Sequence, residues 1–309
     1  MQRFLFLTVL IALLGAPVSV KASSPPDFDA VWNYGDPAAT EAAFREFEAK
    51  AADQSLEYRL QLQTQIARTH SLRAQFDEAH AVLDEVEKAL TDATPVAQVR
   101  YLLERGRTHN SSGNTKDARA AFVHAWMRAQ EIGEDFHAVD AAHMVAIADP
   151  SEAMQWNERG LELARASKDE RARNWKGSLL NNVGWTHFER GDYDKALATF
   201  EEALAFRKEQ GKAGPIKVAR WTVARTWRAQ GKLAEALSEQ QALLKESGDK
   251  PDPYTWEEIA ECLHALDRTD EARPWFAKAH EALSADPWMV ANEAERLARL
   301  AQLAQPGGD

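Results

Sequence analysis

The chain lacks the residues and motifs from which disulfide scaffolds, sheets and enzymes are usually built. Its 309 residues include one cysteine, Cys262, so no disulfide can form within the chain and packing must supply the stability. No segment alternates apolar and polar residues like a strand. Gly-x-Ser-x-Gly, His-Glu-x-x-His and Cys-x-x-Cys motifs and phosphate-binding glycine-rich loops are all missing. The sequence therefore predicts a protein that is not an enzyme and that uses no cofactor and no metal.

Positive charge and long apolar runs are also scarce. The net charge is −11, which argues against a nucleic-acid partner. The one long apolar run follows Arg3 and ends before Gly15, and Ala22 supplies the small residue of a cleavage site, so residues 1–22 read as a signal peptide. We expect an exported protein, periplasmic or secreted, with no membrane attachment after cleavage. The alternative is an uncleaved anchor, because the stretch from Phe4 to Val20 approaches the roughly 20 apolar residues that span a bilayer.

What the chain has in abundance is internal repetition. A small residue is followed by an alanine twelve positions later in six places, at intervals of about 35 to 43 residues. These pairs are Ala67/Ala79, Gly106/Ala118, Ala141/Ala153, Gly184/Ala196, Ala224/Ala236 and Ala260/Ala272. Nearly every segment has helical periodicity, and Asp-Pro pairs stand where helices should begin. The repetition predicts stacked helix-turn-helix units with one continuous core.

The most regular unit resembles the tetratricopeptide repeat. Its first helix carries an apolar and a small residue, a glycine forms the turn, and its second helix carries alanine, an aromatic residue and alanine. The matching residues are Val183, Gly184, Gly191, Tyr193, Ala196, Phe200, Ala203 and Leu204. Units around Gly106, Ala260 and Ala67 fit the same pattern. The unit around Ala141 departs from it, with Asn157 in the aromatic position and Gly160 in the last small position.

The resemblance implies an all-α fold, a right-handed superhelical solenoid of stacked antiparallel helix pairs. We divide the chain into the signal peptide (1–22), an N-terminal segment with a capping helix (23–54), six units (55–284), a C-terminal capping helix (285–304) and a disordered tail (305–309). The front cap is expected over 37–51 and the back cap over 288–303.

By the same resemblance, the residue after each small position faces a concave groove that binds ligands. The candidate ligand-binding residues in this row and on nearby turns are Arg68, Arg107, Asn110, Asn181, Trp185, Trp221, Arg225, Arg228, Glu257 and Glu261. Arginines next to tryptophans would suit an acidic or C-terminal peptide. The alternative is that each arginine pairs with a glutamate of the neighbouring helix.

A metal site has one local candidate, His137, Asp140 and His143. At helical spacing these three side chains rotate away from one another, so they cannot converge well on one ion, and we predict no metal there.

The leading functional hypothesis is a non-enzymatic scaffold or adaptor that binds a protein or peptide segment in the groove. The alternative is an envelope sensor or enzyme-accessory protein that binds a small or acidic ligand in an arginine and tryptophan pocket near Trp185, Trp221 and Arg225. The oligomeric state is left open.

Overall fold

The computed structural model describes residues 25–248 and 252–307. Within these residues the chain forms sixteen α-helices and two short 3-10 helices, and no strand. None of the helices described is both long enough and apolar enough to cross a bilayer. The predicted signal peptide, residues 1–22, lies outside the described residues.

The helices form six pairs with additional helices at each end and one between the third and fourth pairs. Each pair is joined by a linker of three or four residues, which makes its two helices antiparallel neighbours. The pairs, here units 1 to 6, are α2 (Leu56–Leu72) with α3 (Phe76–Ala89), α4 (Pro95–Ser111) with α5 (Thr115–Ile132), α6 (Asp135–Ala148) with α7 (Ala153–Ala166), α9 (Lys176–Glu189) with α10 (Tyr193–Gln210), α11 (Ala213–Ala229) with α12 (Leu233–Ser247), and α13 (Pro253–Ala265) with α14 (Thr269–Leu283). Outside the pairs lie α1 (Pro37–Ala49), α8 (Glu170–Asn174), α15 (Pro287–Asn292) and α16 (Ala294–Leu303).

Asp-Pro pairs begin three of these helices. The side chains of Asp36, Asp252 and Asp286 accept hydrogen bonds from backbone N–H groups of the first turn, at 3.0, 3.1 and 2.8 Å, and the proline after each lacks an N–H to satisfy. At the C-terminal ends of α5 and α10, Gly133 and Gly211 adopt the left-handed backbone conformation, which is unfavourable for residues that carry a side chain. The sequence signals for helix ends therefore act as expected.

Close helix packing explains the small residues of the repeat. Phe122 and Phe200 are fully buried, and each ring lies over the glycine of the preceding helix, Gly106 or Gly184. A Cβ atom at Gly106 would lie 2.7 Å from Phe122 Cδ1, and one at Gly184 would lie 2.6 Å from Phe200 Cδ1. A larger residue at either position has no room, so the small residue and the aromatic ring form one packing unit.

Two units replace the buried aromatic ring with a polar side chain. Asn157 in unit 3 is buried and its Oδ1 accepts a hydrogen bond of 3.3 Å from Asn182, while Trp156, one position earlier, supplies a buried ring. Gln240 in unit 5 is fully buried, and its Nε2 lies 3.5 Å from the carbonyl of Trp221. Unit 3 thus forms a helix pair like the others despite its irregular sequence.

The ends of the stack differ from the expectation in detail. The back cap is two helices, broken at Glu293, and the break lets both Met289 and Leu297 pack into the core cluster of unit 6. The short helix α8 was not predicted; Asp169 caps it by accepting a hydrogen bond of 2.8 Å from Arg171 N. Of the tail predicted to be disordered, residues 305–307 form a turn and residues 308–309 lie outside the described residues.

The first helices of the units line the inner side of the stack. Helix α2 contacts α4, α4 contacts α6 and α11 contacts α13, whereas comparable contacts between second helices are absent from the part of the chain described. In a curved stack the helices on the concave side approach one another most closely. The predicted all-α solenoid of stacked antiparallel pairs is confirmed, and we call the face formed by α2, α4, α6, α9, α11 and α13 the inner surface.

Candidate functional site

The inner surface of units 1 and 2 is covered by the chain itself. Residues 25–35, here the N-terminal segment, run beside α2 and α4 before α1 begins. Phe28 is buried between Phe44 and Tyr58, with ring centroids 6.4 and 5.4 Å away. The Tyr58 hydroxyl donates to the carbonyl of Pro26 at 3.0 Å. An aromatic anchor therefore holds the start of the segment.

Polar contacts hold the rest of the segment. The guanidinium of Arg100, which is almost fully buried, donates two hydrogen bonds to the Asp29 carboxylate, one of them at 3.0 Å. The indole N–H of Trp32 donates to Gln65 Oε1 at 3.1 Å. Bidentate pairing between arginine and a carboxylate fixes direction as well as position. The segment thus binds the inner surface as an acidic and aromatic peptide would.

Beneath the segment, Arg68 and Arg107 meet two buried carboxylates. Glu104 Oε1 accepts hydrogen bonds from Arg68 at 3.3 Å and from Arg107 at 2.7 Å, and Arg107 also donates to Asp140 at 2.6 Å. Burial alone would raise the pKa of Asp140, but the charge and hydrogen bonds of Arg107 hold that pKa below its usual value. Arg68 also lies over the rings of Trp32 and Tyr34, 5.6 and 5.3 Å from their centroids. Both arginines are therefore occupied by the protein's own groups.

A cavity of about 390 Å³ remains between the segment and units 1 to 3. We call it the N-terminal cavity; its walls include Trp32, Glu104, His137 and Trp175. Two buried atoms that belong to these wall residues, Glu104 Oε2 and His137 Nε2, have no hydrogen-bond partner among the described residues. The lining of this cavity is rich in charged side chains, and the N-terminal segment forms part of its wall.

The side chains of the one candidate metal cluster separate in the structure. His137 Nδ1 lies 3.3 Å from Glu134, Asp140 binds Arg107, and His143 Nδ1 accepts a hydrogen bond of 3.2 Å from Asn182. Each group has its own partner, and the described residues contain no group of three or more ligands around one point.

In units 5 and 6 the predicted arginines pair with a single buried carboxylate. Arg225 donates to Glu258 Oε1 at 2.7 Å, and Arg228 donates to both carboxylate oxygens at 2.8 and 2.9 Å. Glu258 is fully buried, and these two arginines are its ion-pair partners. Two separate pairs join unit 6 to the C-terminal cap, where Glu257 binds Arg296 and Glu261 binds Arg299.

These pairs decide between the two interpretations of the arginine row. Arg68, Arg107, Arg225 and Arg228 each bind a carboxylate of the next unit. An acidic ligand would therefore compete with an internal carboxylate at each of these guanidinium groups. These contacts match the alternative interpretation, in which the four arginines join adjacent units.

The predicted tryptophans form an aromatic ladder across units 4 to 6. The ring centroids of Trp185 and Trp221 are 6.2 Å apart, and Trp221 is 6.4 Å from Tyr254. Arg225 lies 5.6 Å from the centroid of Trp185 and 5.3 Å from that of Trp221. Trp185 also contacts buried Phe200, so it is part of the packing of unit 4 as well as of the inner surface.

One open cavity adjoins this ladder, and a second open cavity shares a wall with the first. The first, here the apolar cavity, has about 360 Å³ and is lined by Val218, Trp221, Leu243 and Tyr254 among others. The second, here the arginine cavity, has about 580 Å³. Its walls include Ser178, Asn181, Asn182, Ala203, Arg207, Val218 and Thr222. Val218 belongs to both cavities, and 60% of its surface is exposed.

Some of the residues that line these two cavities were predicted from the sequence, and others were not. Asn181 and Trp221 were predicted and line a cavity; Asn110 was predicted and lines neither. Arg207 and Val218 were missed. Arg207 lies on a second helix, outside the row that the repeat pattern points to, and Val218 looked like an ordinary apolar position. The unusual exposure of Val218 is visible only in the folded chain.

Comparisons with known proteins agree with this architecture. Residues 177–209, which make up most of unit 4, match the tetratricopeptide repeat family. No curated protein matches the chain in sequence. The prediction of tetratricopeptide-type repeats is confirmed by this match and by the fold.

Solved structures resemble the chain over most of its length. The apo form of RapI has a TM-score of 0.70 at 14% identity, covering 88% of this chain and 78% of RapI. A signal-transduction ATPase with a tetratricopeptide repeat sensor from Pyrococcus horikoshii has a TM-score of 0.66 at 14% identity, covering 85% of this chain and 43% of that protein. The apo quorum sensor NprR from B. thuringiensis has a TM-score of 0.60 at 18% identity, covering 87% and 77%; NprR with its cognate peptide NprX has a TM-score of 0.52 at 18% identity, covering 86% and 79%. At these identities the likeness shows the fold alone.

Proposed function

We propose that the protein is a non-enzymatic scaffold or adaptor that binds a protein or peptide segment on the inner surface of units 4 to 6. The segment would lie across the apolar cavity and the arginine cavity. We further propose that the protein acts outside the cytoplasm, because residues 1–22 have the features of a signal peptide.

The adjoining cavities carry this proposal. An extended peptide places successive side chains about 3.3 Å apart along its length, so two neighbouring depressions can each take one of its side chains. The apolar cavity offers Trp221 and Tyr254, which are among the residue types that dominate binding energy in protein interfaces. Asn181 in the arginine cavity provides an amide that can bond to a peptide backbone.

Two further observations support a peptide as the ligand. The N-terminal segment of this chain already lies on units 1 and 2, with a 3-10 helix over Phe28–Val31, through an Asp–Arg pair and an indole hydrogen bond. NprR, which shares the fold, was solved in complex with its cognate peptide NprX. The fold and the chemistry of the surface are thus both suited to a peptide segment.

The alternative of a small-ligand sensor has one observation in its favour. The N-terminal cavity contains buried, unpartnered atoms of Glu104 and His137, which a small polar molecule could satisfy. This observation supports a small ligand in units 1 to 3, whereas the sequence analysis proposed a pocket near Trp185, Trp221 and Arg225.

Selection from a random peptide library displayed on phage tests the leading proposal. We expect enriched peptides whose binding to the purified protein is lost in Val218→Lys, because a lysine there places a charge between the two cavities. Val290→Lys is the matched control, since Val290 is also an exposed valine, 52% accessible, but lies on the C-terminal cap. Unfolding curves of both variants should match that of the wild type.

Two results would count against the proposal. Failure to enrich any peptide would remove its basis. Peptides that bind Val218→Lys and the wild type equally well would place the site elsewhere.

A further inference from the structure

Arg207, on the second helix α10, differs from the partly buried arginines of the inner surface. Its guanidinium donates to Gln210 Oε1 at 2.8 Å and to Ser178 Oγ at 3.3 Å, which are both neutral partners. Among the described residues, no carboxylate forms a salt bridge with it, whereas Arg225 and Arg228 both bind Glu258. Burial lowers the pKa of Arg207.

The chain makes room for this guanidinium. Gly177, at the start of α9, lies directly beneath it, and a Cβ atom at residue 177 would overlap the Arg207 side chain. The arginine therefore lies against helix backbone and forms part of the cavity wall together with Asn181 and Ser178. Its donors are held in place in an open depression.

The N-terminal segment shows which ligand such an arrangement binds. On units 1 and 2, the carboxylate of Asp29 pairs with Arg100, and the flanking Phe28 and Trp32 pack on neighbouring groups. Units 4 to 6 present the same two elements, a cation in the arginine cavity and aromatic rings in the apolar cavity.

We infer that the arginine cavity is the subsite for an aspartate or glutamate side chain of the bound peptide, and that the apolar cavity receives a bulky apolar side chain of the same peptide. This inference rests on the proposed function and adds the chemistry of the ligand. Arginine pairs with carboxylates bidentately, so the subsite selects an acid over its amide. The acid comes from a side chain, because the example within this chain is Asp29.

The test repeats the phage selection on wild type and on Arg207→Gln, with peptides fused at their C-terminus so that no free terminal carboxylate is present. We expect Asp or Glu at one position of the peptides selected by the wild type, and no such enrichment with Arg207→Gln. Arg190→Gln is the matched control, because Arg190 is an exposed arginine at the end of α9 and lines neither cavity. A parallel library with free C-termini measures the contribution of a terminal carboxylate.

Affinities of individual peptides sharpen the test. Replacing the selected Asp by Asn should weaken binding to the wild type about tenfold, in line with the loss of a charged hydrogen bond. The same replacement should make no difference to Arg207→Gln. Gly177→Ala, which retains the charge but displaces the guanidinium, should lose part of the tenfold preference, and unfolding curves confirm that each variant is folded.

The outcomes separate this inference from the proposed function. Enriched peptides without a required acid would overturn the inference and leave peptide binding standing. Enrichment confined to the library with free C-termini would also overturn it, since the carboxylate would then be terminal. With no enriched peptides in either library, the proposed function fails and the inference fails with it.

Discussion

The two halves of the inner surface are built on the same helix pairs but present different surfaces. Over units 1 and 2 the N-terminal segment covers the first helices, and Arg68, Arg100 and Arg107 all bind carboxylates of the chain. Over units 4 to 6 two cavities are open, and Arg207 lacks a carboxylate among the described residues.

The difference indicates which half is free to bind a partner. A peptide bound across units 1 and 2 would have to displace the segment and break the Asp29–Arg100 pair. The two cavities of units 4 to 6 are lined only by residues of those units and of the linkers between them, among the residues described. The covered half also shows, within the same molecule, the contacts that this kind of surface makes with a segment of chain.

The largest expected effect comes from uncovering the N-terminal half. Phe28→Ala should lower the free energy of unfolding by about 3 kcal/mol, because it removes a buried ring that anchors the segment. Tyr34→Ala on the same segment is the control, since Tyr34 is 59% exposed and should cost far less. Chemical denaturation measures both, and hydrogen exchange should show faster exchange in α2 and α4 of Phe28→Ala. If the two variants lost equal amounts of unfolding free energy, the segment would not be anchored through Phe28.

The packing of the two halves should respond equally to a larger residue. Gly106→Leu and Gly184→Leu should each destabilise the protein by about 1–3 kcal/mol, because each new side chain overlaps a buried phenylalanine. Gly214→Leu is the control; a Cβ there meets no atom within 4 Å. Thermal unfolding compares the three variants. A melting temperature unchanged by Gly184→Leu would contradict the close packing of unit 4.

Within the open half, the paired arginines should contribute to stability rather than to binding. Glu258→Gln removes the carboxylate shared by Arg225 and Arg228 and should cost about 2 kcal/mol in unfolding free energy. Affinity for a selected peptide should stay within about twofold, since Glu258 lines neither cavity. Denaturation and titration calorimetry measure the two quantities. A large loss of affinity with no loss of stability would mean that Arg225, Arg228 and Glu258 form part of the binding site.

The smallest expected effect is a pH dependence that originates in units 1 to 3. Burial lowers the pKa of His80, His109 and His143 below the usual value of about 6.5. The unfolded chain therefore binds more protons than the folded one below about pH 6.5, so stability is complete above that pH and falls as the pH drops through the lowered values.

Melting temperatures between about pH 7.5 and pH 5 test this dependence. His143→Gln keeps an acceptor for Asn182 but cannot be protonated, so its melting temperature should fall less on acidification than that of the wild type. An identical fall in both proteins would show that His143 does not contribute.

The candidate site could be predicted from the sequence only in part, for a physical reason. The repeat pattern pointed to Asn181 and Trp221 because they lie on helical turns close to the residues that follow the small positions. It could not show that Arg225 and Arg228 bind Glu258, since their partner lies 30 or more positions away and is chosen by the stacking of units. It also missed Arg207, whose importance depends on its having no carboxylate partner among the described residues.

The sequence by itself determined the helices, their pairing and the packing of each unit. Helix caps, turn glycines and the glycine–phenylalanine contacts act over fewer than 20 residues, so local chemistry specifies them. The tertiary structure alone decided where the N-terminal segment lies, which charges neutralise one another and which part of the inner surface stays open. Those features join residues up to 71 positions apart, as Asp29 and Arg100 are, and they exist only when the units have stacked.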